Sequence, residues 1–340
     1  MARHLVKVKN QNDLLNKLDS GYLENPYVAL ISGVTAPNYN SYSATPYENQ
    51  YFTIGLPEGV SFAYVTCPSG VYYSKDRGAT WMNGDMVFLF AGESAWVKGT
   101  SLTIGGSSHF SVPTGKIKVY GNVMSLQYGD NFTGATLDID SAFSYLFSGC
   151  TNLLSVENLK LPSTTLTNSC YAGMFKGCTS LTTAPELPAT TLAESCYDGM
   201  FQGCTSLTTP PQLPATTLAE KCYNWMFRDC TSLTVAPELP ATTLATYCYG
   251  SMFRDCTSLT TAPELPATTL ANNCYNYMFY GCSSCWRIIC LATDISAMFS
   301  TLNWVNGVNS SGTFYKAPSM ESWTTGISGI PDGWTVVDSE

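Results

Sequence analysis

Apolar positions between Leu161 and Cys282 recur with a step of 26 residues. Leu161, Leu187, Leu213, Leu239 and Leu265 each open a unit, of which LPATTLAESCYDGMFQGCTSLTTPPQ, starting at Leu187, is representative. A fixed step in the range of about 20–29 residues, with Leu, Cys and Phe locked to it, marks a leucine-rich-type solenoid. One such unit cannot bury its own apolar face, so neighbours must stack. Within a unit, Leu192, Cys196 and Met200 stand at i, i+4 and i+8, with Tyr197 and Phe201 one step on. That spacing predicts a helix, N-capped by Thr190 or Thr191 and ending near Gly203. Ser206-Leu207-Thr208-Thr209, stopped by Pro210 and Pro211, predicts a brief strand. In strands stacked about 4.8 Å apart, Leu181, Leu207, Leu233 and Leu259 form an inward ladder. Thr182, Thr208, Thr234 and Thr260 then point outward. The next position carries Thr183, Thr209, Val235 and Thr261, and its valine suits an inward site.

Other patterns flank the repeats. His4-Leu-Val-Lys-Val8 alternates like a strand, Leu14, Leu15 and Leu18 make an apolar stripe, and Tyr27 opens a second apolar run to Ile31. This β-α-β unit of residues 1–35 is too small to be stable alone. It docks on another subunit, with Leu14, Leu15, Leu18 and Tyr27 as candidate contacts, or packs on the next domain of its own chain. Residues 36–115 read as all-β: Tyr51–Ile54, Ser61–Val65, Gly70–Tyr73, Met86–Phe90 and Leu102–Ile104 are short strands suiting a small sandwich. Ser74-Lys-Asp-Arg-Gly-Ala-Thr-Trp81 matches the Asp-box pattern of sialidase propellers. Its parts read as structural: Asp76 caps amides, Gly78 supplies positive φ and Trp81 packs beneath. Residues 116–298 form the solenoid, entered through an irregular coil in which Cys150 and Cys178 are 28 apart. Residues 299–340 read as a C-terminal cap in which Trp304, Trp323 and Trp334 cover the end of the stack. The predicted fold class is therefore multi-domain and mixed α/β.

Charge and cysteine content narrow the chemistry. The 340 residues carry a net charge of −9 and only 12% charged side chains, which argues against a nucleic-acid partner. No apolar run approaches the ~20 residues of a membrane span, and the first residues show no secretory signal. Ten of the fourteen cysteines ride the repeat, Cys196, Cys222 and Cys248 among them. In a helix, eight residues rise about 12 Å, beyond the roughly 7 Å limit for a bridge inside one unit. Bridges between units remain geometrically open. Without a signal sequence, free thiols buried as small hydrophobes are expected.

Catalysis needs convergent titratable groups, and little converges here: His4 and His109 are isolated, and no G-x-S-x-G marks a nucleophile. Cys282, Cys285 and Cys290 lack a fourth zinc ligand. Glu186, Glu238 and Glu264 form a ladder interrupted by Gln212 and read as a solvated edge. No enzyme activity, metal or cofactor is expected. The variable positions are more informative. Gly199 becomes Trp225, Ser251 and Tyr277, and Gln202 becomes Arg228, Arg254 and Tyr280. On the outward helix face these residues are either drift on an unconstrained surface or a stripe in which Trp225, Tyr277 and Tyr280 stack on sugars or protein. The Thr182, Thr208, Thr234 and Thr260 ladder is the rival surface.

The repeated GCTSLTTAPELPATTLA…CY…MF resembles the BspA-like leucine-rich repeats of gut Bacteroidales and their phages. The likeness runs upstream through Lys118–Asp130 and downstream to Ile330-Pro-Asp-Gly-Trp-Thr335. It implies surface display and adhesion-type binding. The opening residues resemble, more weakly, attachment modules of crAss-like phage virion proteins, and the β-rich segment resembles the sandwich that often precedes such repeats. Together these imply a non-enzymatic, homo-oligomeric virion component, a head or tail fibre or a capsid decoration. It would dock to other virion proteins through residues 1–35 and bind host-surface or gut glycans or proteins through the repeats. A bacterial cell-surface adhesin of the same repeat type is the alternative. A carbohydrate-active enzyme, resting on the Asp box alone, is a weak third.

Overall fold

The computed structural model describes residues 49–99, 109–321 and 323–339. The expectations for residues 1–35, with Leu14, Leu15, Leu18 and Tyr27, lie outside the described residues, as does Leu102–Ile104.

Short alternating runs build the first part. Strands β1 (Phe52–Gly55), β2 (Phe62–Thr66), β3 (Val71–Ser74), β4 (Met82–Asn83), β5 (Met86–Phe90), β6 (Ser94–Gly99), β7 (Ser111–Thr114) and β8 (Ile117–Asn122) form two sheets. One carries the order β8-β1-β6-β3-β4, and the other β5-β2-β7. In β6 the period-two pattern buries Ala95, Val97 and Gly99 while their neighbours stay half-exposed. A single helical turn, α1 (Ser125–Tyr128), is tied in by the Ser125 hydroxyl, which accepts from Phe52 N and donates to Val97 O, each at 2.9 Å.

Strand β8 belongs to both halves of the molecule. It pairs antiparallel with β1 and parallel with β9 (Leu153–Ser155) and β10 (Leu159–Lys160). The hydrophobic core accordingly runs from Phe52 to Trp334, across position 115/116, where composition alone suggests a boundary.

The repeats are not helical, which corrects the helix expected from Thr190 to Gly203 and with it the mixed α/β class. Among the described residues the fold is mostly β with few helices, and each supposed helix is a run of four-residue turns. Every fourth residue there has positive φ: Ser195 at 55°, Gly199 at 59° and Gly203 at 73°, with the same pattern in the neighbouring units. Between these points the amides alternate in purpose. Ser169, Tyr171, Gly173, Phe175 and Gly177 donate to the next unit, to the carbonyls of Glu194, Cys196, Asp198, Met200 and Gln202, at 2.7–2.9 Å. The amides in between close turns on the residue three back, as Met174 does on Tyr171 at 3.2 Å. A helix satisfies its amides within itself, whereas half of these are satisfied only by a neighbour.

Stacking aligns identical side chains. Phe147, Phe175, Phe201, Phe227, Phe253 and Phe279 form a ladder with ring centroids 5.6–5.8 Å apart and planes within 8°. Tyr171, Tyr197, Tyr223, Tyr249 and Tyr275 form a second. Trp304 receives both, 6.1 Å from Tyr275 and 6.2 Å from Phe279, and its own outer neighbour is Trp323 at 5.8 Å. Leu181, Leu207, Leu233 and Leu259 are fully buried.

The strand expected at Ser206–Thr209 is reduced to a single bridge, Thr183 to Thr209. A four-stranded parallel sheet appears only later, as β11 (Thr261–Leu265), β12 (Arg287–Cys290), β13 (Thr313–Lys316) and β14 (Thr335–Asp338). Residues 299–340 thus add two more strands to the stack. Val235, expected inward, is 64% exposed. Thr209, at the same position one coil earlier, is exposed as well, and there the Thr182 carbonyl accepts from both Thr208 N and Thr209 N, at 3.0 and 3.3 Å, so strict alternation is lost on this face.

The turn conformation fixes the sign of one substitution. In a helix, Gly203→Ala would stabilise by about 1 kcal/mol. At φ of 73° it should instead destabilise by about 1–2 kcal/mol. Gly203→Asp should cost less, since Asp229 and Asp255 hold the same place in later units. Thermal or denaturant unfolding of the full chain reads the difference.

Candidate binding surface on the turn face

Three rows of left-handed residues run along the stack. The first holds Ser195, Lys221, Tyr247, Asn273 and Phe299, and the second Tyr145, Gly173, Gly199, Trp225, Ser251, Tyr277 and Asn303. The third holds Gly203, Asp229, Asp255 and Gly281. Glycine fits such positions without a Cβ penalty, and Asp and Asn tolerate them. Bulky aromatics do not. Nevertheless Tyr145, Trp225, Tyr247 and Phe299 occupy them while 49%, 41%, 37% and 55% exposed, so burial does not offset the backbone cost.

The stripe residues come together on this face. The Arg228 guanidinium lies 5.6 Å from the Trp225 ring centroid, with its Nε 3.3 Å from Asp229 Oδ2. Arg254 lies 4.7 Å from Tyr280 and 5.6 Å from Tyr277, with its Nε 3.2 Å from Asp255 Oδ2. Tyr277 and Tyr280 are 5.7 Å apart, and the Tyr277 hydroxyl accepts from Asn303 Nδ2 at 3.0 Å. Nearby, Asn224 Nδ2 donates to Asp198 Oδ1 at 2.9 Å, and burial raises the carboxyl pKa of Asp198. Period-3.6 reasoning missed Tyr145, Tyr247, Phe299, Asp229 and Asp255. The available signal was Gly173, Gly177, Gly199 and Gly203 falling on the same four-residue step.

The rival surface is also present. Thr182, Thr208, Thr234 and Thr260 are exposed, and Thr208 Oγ1 donates to Thr182 O at 3.3 Å. This ladder shows no ring and no charge until Trp286, which is 48% exposed and whose amide donates to Thr260 O.

The Asp box is a closed hydrogen-bonded turn. Asp76 accepts from the Ser74 hydroxyl at 2.7 Å, from Thr80 N at 2.9 Å and from the Thr80 hydroxyl, which together hold its pKa down at about 2. Gly78 sits at φ of 90°, and an added Cβ would lie 3.6 Å from the Trp81 ring. Each of these carboxylate contacts lies inside the turn.

All fourteen cysteines are free and buried. The thiols of Cys178, Cys204, Cys230, Cys256 and Cys282 donate to the carbonyls of Phe147, Phe175, Phe201, Phe227 and Phe253 at 3.0–3.1 Å. Cys196, Cys222 and Cys248 are fully buried on the other cysteine row. Burial pushes Cys170 and Cys204 up to about 12. No group of His, Cys, Asp or Glu that could hold a metal occurs among the described residues, and no described helix is long and apolar enough to cross a membrane.

Comparison with known families agrees with this stack. Residues 136–248 and 195–302 match the BspA type leucine rich repeat region, with six copies. The segment from 136 to 302 is therefore built of BspA-type leucine-rich repeats. No curated protein and no solved structure matches the chain.

The thiols set a pH limit. A group whose folded pKa is raised holds its full stabilising contribution below the unfolded value, here about 9, and loses it as pH climbs toward 12. Unfolding free energy should thus fall across that window. In the native chain at pH 8 the thiols should resist iodoacetamide, and all fourteen should react after denaturation. Ready native alkylation of Cys204 would contradict the packing.

Proposed function

We propose that this chain is a non-enzymatic adhesion protein that binds its partner through the turn face of its repeats. The observation that carries the proposal is the placement of exposed Trp225, Tyr145, Tyr247 and Phe299 at left-handed positions. Strained conformations persist where the surroundings impose them and cluster at functional sites. Drift on an unconstrained surface would favour Gly, Asn or Asp there. Trp, Tyr and Arg are also the side chains enriched among binding hot spots. A role in protein interaction or adhesion agrees with the leucine-rich repeats themselves.

The finer reading places the chain on a phage particle infecting gut Bacteroidales, as a head or tail fibre or a capsid decoration, in several copies. Residues 1–35 attach it to other virion proteins, and the repeats meet a host-surface glycan or protein. The resemblance of its repeats and opening residues to phage-borne sequences supports this assignment.

Peptide mass spectrometry of purified particles tests it. Recovery at a fixed, symmetry-related ratio to the major capsid protein is the expected result. Absence from particles, with the chain in the host envelope, would instead make it a bacterial cell-surface adhesin.

A further inference from the structure

We propose that the turn face binds an extended, uncharged β-linked glycan laid along the stacking direction, one pyranose per coil. This rests on the binding surface proposed above and adds the chemistry of its occupant.

The spacing of the rings is the first support. Trp225 and Tyr277 hold the same place in units two apart, and small, buried Ser251 lies between them. Copies of a ring in adjacent coils lie 5.6–5.8 Å apart in the aromatic ladder, so rings two coils apart repeat at roughly 10–11 Å. A pyranose in an extended β-linked chain advances by about one such step and presents alternate faces at successive residues. Every second sugar therefore offers the same C–H face, and Trp225 and Tyr277 offer rings to two such sugars. An extended peptide, rising about 3.3 Å per residue, repeats the same face at roughly 6.6 Å and does not match that two-coil step.

The polar groups beside the rings point the same way. Each platform is flanked by a planar guanidinium already paired with a carboxylate, Arg228 with Asp229 and Arg254 with Asp255. These pairs set donors and acceptors beside the rings, where a stacked sugar carries its hydroxyls. Because both charges are balanced locally, the surface favours a neutral sugar over an acidic one.

The backbone gives a third, independent support. At φ of 57° and 54°, Trp225 and Tyr277 occupy positions where Gly173 and Gly199 stand in other units. That difference supplies a variant that separates binding from folding. Trp225→Gly installs the residue the backbone prefers, so a loss of binding cannot be a loss of fold.

The test uses the full chain and linear β-1,4-linked cello-, xylo-, manno- and chito-oligosaccharides of increasing length, by calorimetry and affinity electrophoresis. Affinity should rise until the oligosaccharide spans both rings and then level off. Trp225→Gly should weaken it about tenfold or more, with a melting temperature equal to or above the parent's. Thr208→Val, on the rival ladder, should leave it unchanged. No binding to any of these sugars, or equal binding by Trp225→Gly, overturns the glycan assignment. Adhesion of the full chain to intact Bacteroidales cells separates this failure from that of the broader reading. Loss of adhesion after periodate is expected. Adhesion that survives periodate and disappears after protease treatment makes the occupant a protein and overturns the glycan alone. No adhesion to untreated cells overturns both.

Discussion

The structure depends on one backbone constraint, a left-handed residue at every fourth position through the turn segment of each unit. Positive φ at Ser195, Gly199 and Gly203 turns the chain sharply enough that alternate amides face along the stack. Those amides find carbonyls only in a neighbouring coil. An isolated unit would leave those amides to water and its apolar face exposed, so no coil is independently stable. Stacking is thus obligatory, and identical side chains are superposed as a consequence.

Superposition explains why so few residue types serve the interior. A ring at Phe201 meets Phe175 and Phe227 at nearly the same distance and angle, so only another flat ring keeps the ladder in register. Cysteine on the same turn is small, apolar enough to bury and able to donate to the Phe carbonyl one coil back, as Cys204 does to Phe175. The ends need different residues because a ladder has no internal stopping rule. At one end Phe110 stacks on Phe147 at 5.3 Å and β8 joins the sandwich sheet to the first coil. At the other, one indole, Trp304, covers both aromatic ladders while its Nε1 donates to Gly329 O at 2.8 Å.

Much of this was legible in the sequence, and the failures have physical causes. The step of 26 predicted stacking, the buried Leu, Cys, Met and Phe, and the outward Thr208 and its copies. Helix was the wrong element because a period of 3.6 and a period of 4 separate by little more than one residue over three turns. Composition at every fourth place distinguishes them, and Gly199, Gly203, Asp229 and Asp255 were visible there. Val235 was misplaced because strand reasoning assumes alternation, whereas these positions pair only through single bridges such as Val235 to Thr261. Trp225, Arg228, Arg254, Tyr277 and Tyr280 were legible as variable outward positions. Their significance was not, since backbone cost at Trp225 enters only once φ is known.

Far-ultraviolet circular dichroism of the intact chain tests the central claim most directly. Turn-built coils predict a spectrum without the paired minima of α-helix, because among the described residues α-helix is confined to Ser125–Tyr128. Deep paired minima, of the size that five helical segments between Leu161 and Cys282 would give, would contradict the four-residue turn and everything derived from it.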